Sequence, residues 1–579
     1  MARVLYIDLS KKSFWIEDRN DLLQYIGGAG IATKLLLEEC PEGTDPLSPG
    51  NPVIFAVGPL TGIFPLASKT VAMFKSPLTG NLGESHAGGR SATSIRMAGY
   101  GAIVIRGKSD VPVYLSIHSH KVEFKNATTI WGMSSSLTAG KIIRENEKGN
   151  GFRTIMRIGQ AGETMVSYAA VTTETYRHFG RLGLGAVFGS KMLKGIAITG
   201  NSTIEIADHK AYKKLYDKVY AAAVDTDLMK KYHDLGTAGN VITLNELNAL
   251  PVRNLNAGSM EEIKELTGEY LAENYLGRRV ACAHCPIGCV HLANLREASD
   301  HEAYFYKTTM VGYDFELLYS LGSMLGMTKT EDVLRLIDMV EVYGMDAMST
   351  GVVLAWATEM LEKKLISPEE TAGIQFAWNN VEEYMKAMRK IVMRENDFYD
   401  ALAQGVDFAS EKYGGKEFAM AFGKNEMPGY HTGPATYLGY LVGARHSHLD
   451  NAGYSLDQKE LIHEYVAPET IIDKLMHEEE FRQIMSSLVI CFFARGIYNK
   501  EMMIETLGIL GVKADDKMLD ETGKEIYRMK YEFKFRHGFS FDNMHIPDRI
   551  YNTSDPTGQI KKEYIEKGLA YIKKKLKPG

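Results

Sequence analysis

At 579 residues the chain far exceeds the roughly 100–200 residues of one domain, so three or four cores are expected. Apolar residues at 45% and charged residues at 24% match ordinary globular usage and exclude a disordered or low-complexity chain. A formal charge of -6, from 66 Lys plus Arg against 72 Asp plus Glu, excludes the basic footprint of a nucleic-acid binder, so no nucleic acid is expected as a partner.

The first ten residues, Met1 to Ser10, alternate apolar and polar like a strand and lack the apolar stretch of a signal peptide. The runs Val53 to Val57, Ala102 to Ile105 and Val113 to Ile117 are strand-length, with Gly-Pro or Gly-Lys turns beside them. From about residue 208 the texture changes to apolar residues three and four apart, as in Tyr212 to Ala223 and Glu331 to Tyr343, which predicts helices. Strands first and helices afterwards make an α+β chain, not a doubly wound one. The expected division is a β-rich domain over 1–205, a helical domain over 206–414 and a second helical domain over 415–579, with a boundary in the turn-rich Lys412 to Lys416. Lys561 to Lys577 reads as a basic amphipathic helix with a solvated face; contact with a membrane surface or an acidic partner is the sharper alternative. No apolar run is long enough to span a bilayer, so no membrane span is expected.

Five cysteines, Cys40, Cys282, Cys285, Cys289 and Cys491, are too few for a disulfide framework and point to a reducing, cytoplasmic setting. Three of them form the C-x2-C-x3-C run Cys282-Ala-His-Cys285-Pro-Ile-Gly-Cys289, which lets three thiolates face one concave loop, with a fourth ligand arriving through tertiary folding. Spacing alone leaves open an iron–sulfur cluster, a zinc site of four thiolates or of three with His284 or His291, and unliganded thiols. Cys40 reads as a small buried hydrophobe.

Two glycine-rich segments, Lys75 to Arg90 and Gly180 to Lys191, combine small residues with cations and could cradle a phosphorylated cofactor; tight turns in a β-domain explain them equally well. Gly183, Gly185 and Gly189 do not follow the dinucleotide spacing, and Ala102 stands where a Walker A loop before Gly107-Lys108-Ser109 needs its first Gly. Neither NAD nor ATP is supported.

In combination these segments resemble the aldehyde:ferredoxin oxidoreductase family of tungsten bis-pterin enzymes over nearly the whole chain. The resemblance rests on Ile26-Gly-Gly-Ala-Gly30, Gly58-Pro-Leu-Thr-Gly62, Lys75-Ser76-Pro-Leu-Thr-Gly80, Gly88-Gly89, Ala98 to Lys108, Gly180 to Lys191, Ala249 to Asn254 and the cysteine run. It implies a β-rich cofactor-base domain followed by two mainly helical domains that close over two pterins. It further implies a [4Fe-4S] cluster on Cys282, Cys285, Cys289 and Cys491. The pterins and their phosphates, with a Mg2+ ion bridging the phosphates, would meet Lys75, Ser76, His86, Gly88, Gly89, Arg181, Gly183, Gly185 and Ala186.

Two helical motifs of the family also hold the pterins. The first reads Glu341-Val-Tyr-Gly344-Met-Asp346 here, so Glu341, Gly344 and Asp346 are implied as ligands of one pterin. The second reads Ser486-Ser-Leu-Val489-Ile490-Cys491, implying Ser486 and Ile490 for the other, but its acidic residue and its Gly are gone. A carboxylate accepting from a pterin N–H makes a bond roughly twice as strong as a neutral one, so Ser486 is the weaker partner.

The family's active site sets a carboxylate and a histidine beside the metal, which implies Glu316 and Asp314 in Gly312-Tyr-Asp-Phe-Glu-Leu317 and His448 in Arg445-His-Ser-His-Leu-Asp450, with His446 as the fallback. On a helix Glu316 and Asp314 stand about 200° apart, so only one could face the metal. The implied reaction takes an aldehyde and water to a carboxylic acid, two protons and two electrons, the electrons leaving through the cluster to ferredoxin or a ferredoxin-like subunit. Two alternatives remain. One is an aromatic acyl-CoA reductase-type subunit of the same family, which the lack of a Cys near Glu316 or His448 opposes. The other is an iron–sulfur electron-transfer subunit without the pterin.

Overall fold

The computed structural model describes residues 2–149, 151–298 and 305–576; Met1 and Lys577, at the outer ends of the expected first strand and last helix, lie outside them. Two six-stranded sheets fill the first third of the chain. The first comprises β1 (Arg3–Asp8), β2 (Ser13–Asp18), β3 (Val53–Ala56), β4 (Thr70–Lys75), β5 (Leu82–Ala87) and β6 (Ala102–Arg106), in the order β2-β1-β6-β3-β4-β5. The second comprises β7 (Val113–His118), β8 (Lys121–Asn126), β9 (Phe152–Arg157), β10 (Val171–Thr173), β11 (Arg177–Phe179) and β12 (Leu193–Gly200), in the order β11-β10-β9-β12-β7-β8. Only β1 with β6 and β7 with β12 run parallel within these sheets.

The period of two explains both faces of the first sheet. Leu5, Ile7, Val53, Phe55, Ile103 and Ile105 pack with Leu115, Ile117, Met156 and Ile198 of the second sheet in one core. Their sequence neighbours Val4, Tyr6, Ile54, Ala56, Ala102 and Val104 turn the other way, into a core shared with the helix Gly28–Glu39 and the later helices. A strand buried on both faces needs an unbroken apolar run, which is why Val53 to Val57 carries no polar residue. Each such side chain contributes about 1.5–3 kcal/mol by leaving water.

Beyond residue 208 helices dominate, from His209–Val224 to Lys562–Lys575. The first of them starts at Asp208, whose carboxylate accepts from the N–H groups of Lys210 and Ala211, and it buries Leu215, Val219 and Ala223, four residues apart. At Lys412 to Lys416 the chain turns as expected: the helix Val406–Tyr413 ends at Gly414 and Gly415, both at positive φ. No helix among the described residues is long and apolar enough to cross a membrane.

The helical region also holds strands: besides the short pair Ala421–Phe422 and Asn425–Glu426, it carries one larger sheet. β13 (Leu276–Val280), β14 (Val290–Ala298) and β15 (Tyr306–Tyr313) form an antiparallel sheet, with Val280 paired to Val290 and His291 to Tyr313. The cysteine run is the loop joining β13 to β14. β15 delivers the chain straight into Asp314 and Glu316, so one small sheet positions both.

Candidate functional site

The cysteine loop is docked on the first domain through its backbone. Ala283 N–H donates to Gly89 O at 2.9 Å, and Leu66 N–H donates to His284 O at 3.3 Å. The carbonyl of the same Leu66 accepts from Cys491 N–H at 2.8 Å, so one residue clamps both cysteine-bearing segments. Burial pushes the Cys285 thiol up to about 12 and that of Cys289 to about 11, and each is raised further by the neighbouring thiols, Cys491 first. Burial would raise Cys282 too, but the Arg177 guanidinium and Lys69 reverse the shift and favour its thiolate. The four thiols therefore lie close enough to act on one another electrostatically. His284 instead turns towards Phe152, ring to ring at 6.4 Å, and the His291 ring contacts His233 O at 2.9 Å.

Gly88 shows why that position is glycine: a Cβ there would stand 2.6 Å from Cys282 Sγ and 2.9 Å from an Arg177 nitrogen. Arg177 itself is half-buried, and its guanidinium is near enough to Cys282, Cys289, Cys491 and Asp314 for all four to favour its charge. It is the residue that sequence reasoning missed, although it lies only four positions before Arg181.

The two glycine-rich segments come together as expected, but chiefly by packing on each other. Ser76 Oγ donates to Leu182 O at 2.8 Å and accepts from the N–H groups of Leu78 and Thr79. Gly183 and Gly185 leave room for protein backbone: a Cβ would stand 2.1 Å from Ser167 O and 2.5 Å from Ala170 O respectively. Ala186 N–H donates to Gly183 O at 3.1 Å. Lys75 directs its ammonium to Thr44 O at 2.7 Å, and burial lowers its pKa. Gly89, at φ 96, meets Glu174 and Arg177. His86 lies on β5, donating Nε2–H to Glu84 at 2.7 Å; burial depresses its pKa to about 4, so the ring is neutral.

Glu84 belongs to a buried charge group with no signature in the sequence. It pairs with Lys530, and Arg445 lies 4.0 Å away while binding Asp450. Burial would raise the Glu84 carboxyl, but Lys530, Arg445 and His86 hold it well below the usual carboxylate range. The partners are hundreds of residues apart, so no local pattern could announce them.

The segment Glu341 to Asp346 docks on the first domain: Asp346 N–H donates to Tyr168 O at 3.0 Å, and Gly344 O accepts from Ala170 N–H at 2.8 Å. Gly344 ends the helix Thr330–Tyr343 at φ 74, which a residue with a Cβ adopts only at a cost. Glu341 accepts from His178 at 2.7 Å. Asp346 caps the next helix through the N–H groups of Met348 and Ser349 and accepts from Arg181 Nε at 3.1 Å. Arg181 thus joins the glycine-rich segment to the first helical motif, and its Nη1 is buried without a partner.

In the second motif Ser486 is buried at the end of the helix Pro468–Ser487, and a Cβ on Gly28 would stand 2.2 Å from its carbonyl. Ile490 N–H donates to Met485 O at 2.9 Å. Val489, at the place of the motif's Gly, keeps a left-handed backbone, φ 57. A β-branched residue held there stores about 1–2 kcal/mol of strain.

Asp314 and Glu316 separate clearly. Asp314 is the N-cap of the helix Phe315–Ser320, accepting from Leu317 N–H at 3.2 Å. Its side chain keeps exposed surface, yet the surrounding protein raises its carboxyl pKa, opposed by the Leu317 N–H and Arg177. Glu316 lies in the first turn, with Oε2 accepting from Gly429 N–H at 3.1 Å and Oε1 3.3 Å from His448 Nε2. Burial pushes Glu316 up to about 8; the Gly429 N–H opposes this and the Asp314 carboxylate adds to it. Burial, then Arg181, Arg445 and Arg482, depress His448, so its ring is neutral. The Glu316–His448 approach is too poorly aligned for a hydrogen bond, and Glu316 Oε1 and His448 Nδ1 are both buried without one. Tyr430 flanks His448 at 5.3 Å between centroids and stacks on Tyr454 at 4.4 Å. His446, the fallback, points into the core, where Nδ1 meets Tyr440 O at 2.9 Å and Lys534 donates to Nε2 at 3.0 Å.

Glu316 and His448, 3.3 Å apart, carry buried groups without partners, as does Arg181, whose charge acts on both. Since most buried polar groups are satisfied, such a collection fits a polar group bound there. Among the described residues, no group of three or more His, Cys, Asp or Glu is arranged to hold a metal ion.

Two family models cover most of the chain: aldehyde ferredoxin oxidoreductase, N-terminal domain, over residues 4–200, and aldehyde ferredoxin oxidoreductase, domains 2 and 3, over residues 211–576. The tungsten-containing aldehyde ferredoxin oxidoreductase of Pyrococcus furiosus is 36% identical over 437 residues, 74% of this chain and 70% of that protein. Its namesake from Thermococcus kodakarensis is 33% identical over 508 residues, 85% of this chain and 81% of that protein. Among solved structures, the active site complex BamBC of benzoyl coenzyme A reductase in complex with 1,5-dienoyl-CoA superposes with a TM-score of 0.82, covering 99% of this chain and 94% of that one. At 22% identity that similarity speaks to the fold alone.

Proposed function

The chain belongs to the aldehyde ferredoxin oxidoreductase family of oxidoreductases, and from that premise we propose that it oxidises aldehydes to carboxylic acids at a tungsten bis-pterin centre, passing electrons through a [4Fe-4S] cluster to ferredoxin or a ferredoxin-like protein. The observation that carries the reading is the pairing of two chemistries: four thiols that act on one another, and Glu316 with His448, the charge of Arg177 being felt by both the thiols and Asp314.

Cys282, Cys285, Cys289 and Cys491 would hold the cluster. A cubane takes one thiolate per iron, so its ligands need not converge on a point as those of a single ion must. Arg181, Glu341, Asp346, Ser486 and the glycine-rich segments would hold the pterins together with a Mg2+ ion. When bound, the tungsten centre supplies a Lewis acid that accepts two electrons.

The chain's own residues manage protons. Glu316, poised near 8 by burial, takes a proton from water or from the hydrated aldehyde onto the unpartnered Oε1. His448 is neutral and offers one ring N–H to the substrate oxygen as charge develops. Asp314, engaged in capping, positions the turn that carries Glu316. Tyr430 and Tyr454 present apolar faces beside His448.

Anaerobic purification with elemental analysis, followed by a dye-reduction screen across aldehydes, tests the reading. Tungsten and iron together with aldehyde-dependent dye reduction support it; iron without tungsten would make the chain an electron carrier.

A further inference from the structure

A surface cavity of about 420 Å³ is lined by segments that touch the cysteine loop. Its wall carries Arg90, Arg144 and Arg153, with Phe152, Ile155 and Glu174 among them. Two of its segments meet the cysteine loop. Arg90 follows Gly89, whose carbonyl holds Ala283, and the Phe152 ring lies 6.4 Å from that of His284, the residue before Cys285.

The charges on this rim are unequal. The one acid in the wall, Glu174, is taken up by Arg90, which donates from Nε and Nη2 at 3.1 and 2.8 Å. Glu147, nearby in sequence, is buried and holds Tyr114 and Ser116, while Glu145 faces Lys141 at 4.0 Å. Arg153 braces the end of the helix Ser136–Asn146 by donating to the carbonyls of Arg144 and Glu147. Arg144 and Lys148 are exposed, so their charges face solvent. Phe152 is 42% exposed, an aromatic ring inside a ring of cations. Aromatic and Arg side chains are the groups enriched at protein interfaces. With a net charge of -6 the whole chain repels acidic proteins, so a productive encounter with one needs a local patch of opposite sign.

We propose that this cavity is the docking site of a small acidic protein that carries single electrons, seated on Phe152 and steered by Arg144, Lys148 and Arg153. The inference deepens the proposed function and rests on it. Each encounter moves one electron from the reduced cluster to the oxidised carrier, with no bond or proton transferred, so two encounters clear the pair released per aldehyde. Electron tunnelling falls steeply with distance, which favours the face where the cysteine loop meets the surface.

The test uses the holoenzyme and an oxidised [4Fe-4S] ferredoxin. Arg144→Glu and Lys148→Glu are compared with Lys574→Glu, an exposed charge on the helix Lys562–Lys575. Calorimetric Kd and the KM for ferredoxin are read at low and high salt, with benzyl viologen as a second acceptor. We expect each rim reversal to raise Kd and KM by about fivefold to tenfold at low salt, with the difference shrinking as salt screens it. Viologen turnover and the Lys574→Glu variant should stay at wild-type values. Unchanged Kd and KM in the rim variants, or an equal rise in Lys574→Glu, overturns the docking site while leaving the enzyme reading intact. A wild-type holoenzyme that reduces neither acceptor with any aldehyde overturns the function itself, and binding remains measurable without turnover.

Discussion

His448 Nε2 stands 3.3 Å from Glu316 Oε1, yet the two do not share a hydrogen bond. A neutral ring and a carboxyl poised near 8 thus face one space with their bonding capacity unspent, one able to donate and the other to accept. The predictions below follow from this pair and from the contacts that hold its surroundings.

Glu316 acts as a base only when ionised, and its pKa of about 8 places that form above neutrality. The aldehyde oxidation rate should therefore rise with pH through about 8 and level off beyond. Glu316→Gln should lower kcat by about 100-fold or more while iron and tungsten contents stay at wild-type levels. A variant that keeps the wild-type pH profile would shift the role to Asp314.

His448→Ala removes a donor to the substrate oxygen and should cost about 100-fold to 1000-fold in kcat. KM should change much less, because the interaction strengthens as charge develops. Steady-state kinetics with one aldehyde at several concentrations separates the two effects.

Gly88→Ala places a methyl 2.6 Å from Cys282 Sγ and 2.9 Å from Arg177. No such contact is tolerated, so the Cys282 thiol and the Arg177 guanidinium must shift from their places. Iron per chain and visible absorption should fall well below wild type, while far-ultraviolet circular dichroism stays unchanged. Full cluster loading in this variant would mean that the loop is freer than its backbone contacts to Gly89 and Leu66 allow.

Lys530→Met leaves Glu84 ionised and buried with only Arg445 at 4.0 Å and the neutral His86 as partners, at a cost of about 3–5 kcal/mol. The folded-state pKa of Glu84 is depressed, so its stabilisation is present above the unfolded carboxylate pKa and is lost as pH falls through the folded value. Thermal unfolding at pH 7 should show a clear drop in Tm for the variant, and the gap to wild type should narrow in acid.

Local patterns foretold what local physics decides. The run Glu331 to Tyr343 has apolar residues on one helical face, and it is the helix Thr330–Tyr343; Val53 to Val57 is an unbroken apolar run, and it is a doubly buried strand. The cysteine spacing marked its loop, and the backbone clamp on Leu66 brings Cys491 beside it. β13 to β15 escaped notice because charged residues interrupt the alternation in Val290–Ala298 and its partners lie across a loop. Arg177 and the Glu84–Lys530 pair escaped for a different reason: burial and tertiary neighbours give them their meaning, and neither shows in a one-dimensional string.

The hairpin of β14 and β15 ties the thiol loop to the turn that carries Glu316, residue against residue from His291–Tyr313 outward. In the proposed function, proton handling and electron exit are therefore mounted on one strand pair, and substitutions that alter its register would detune both together.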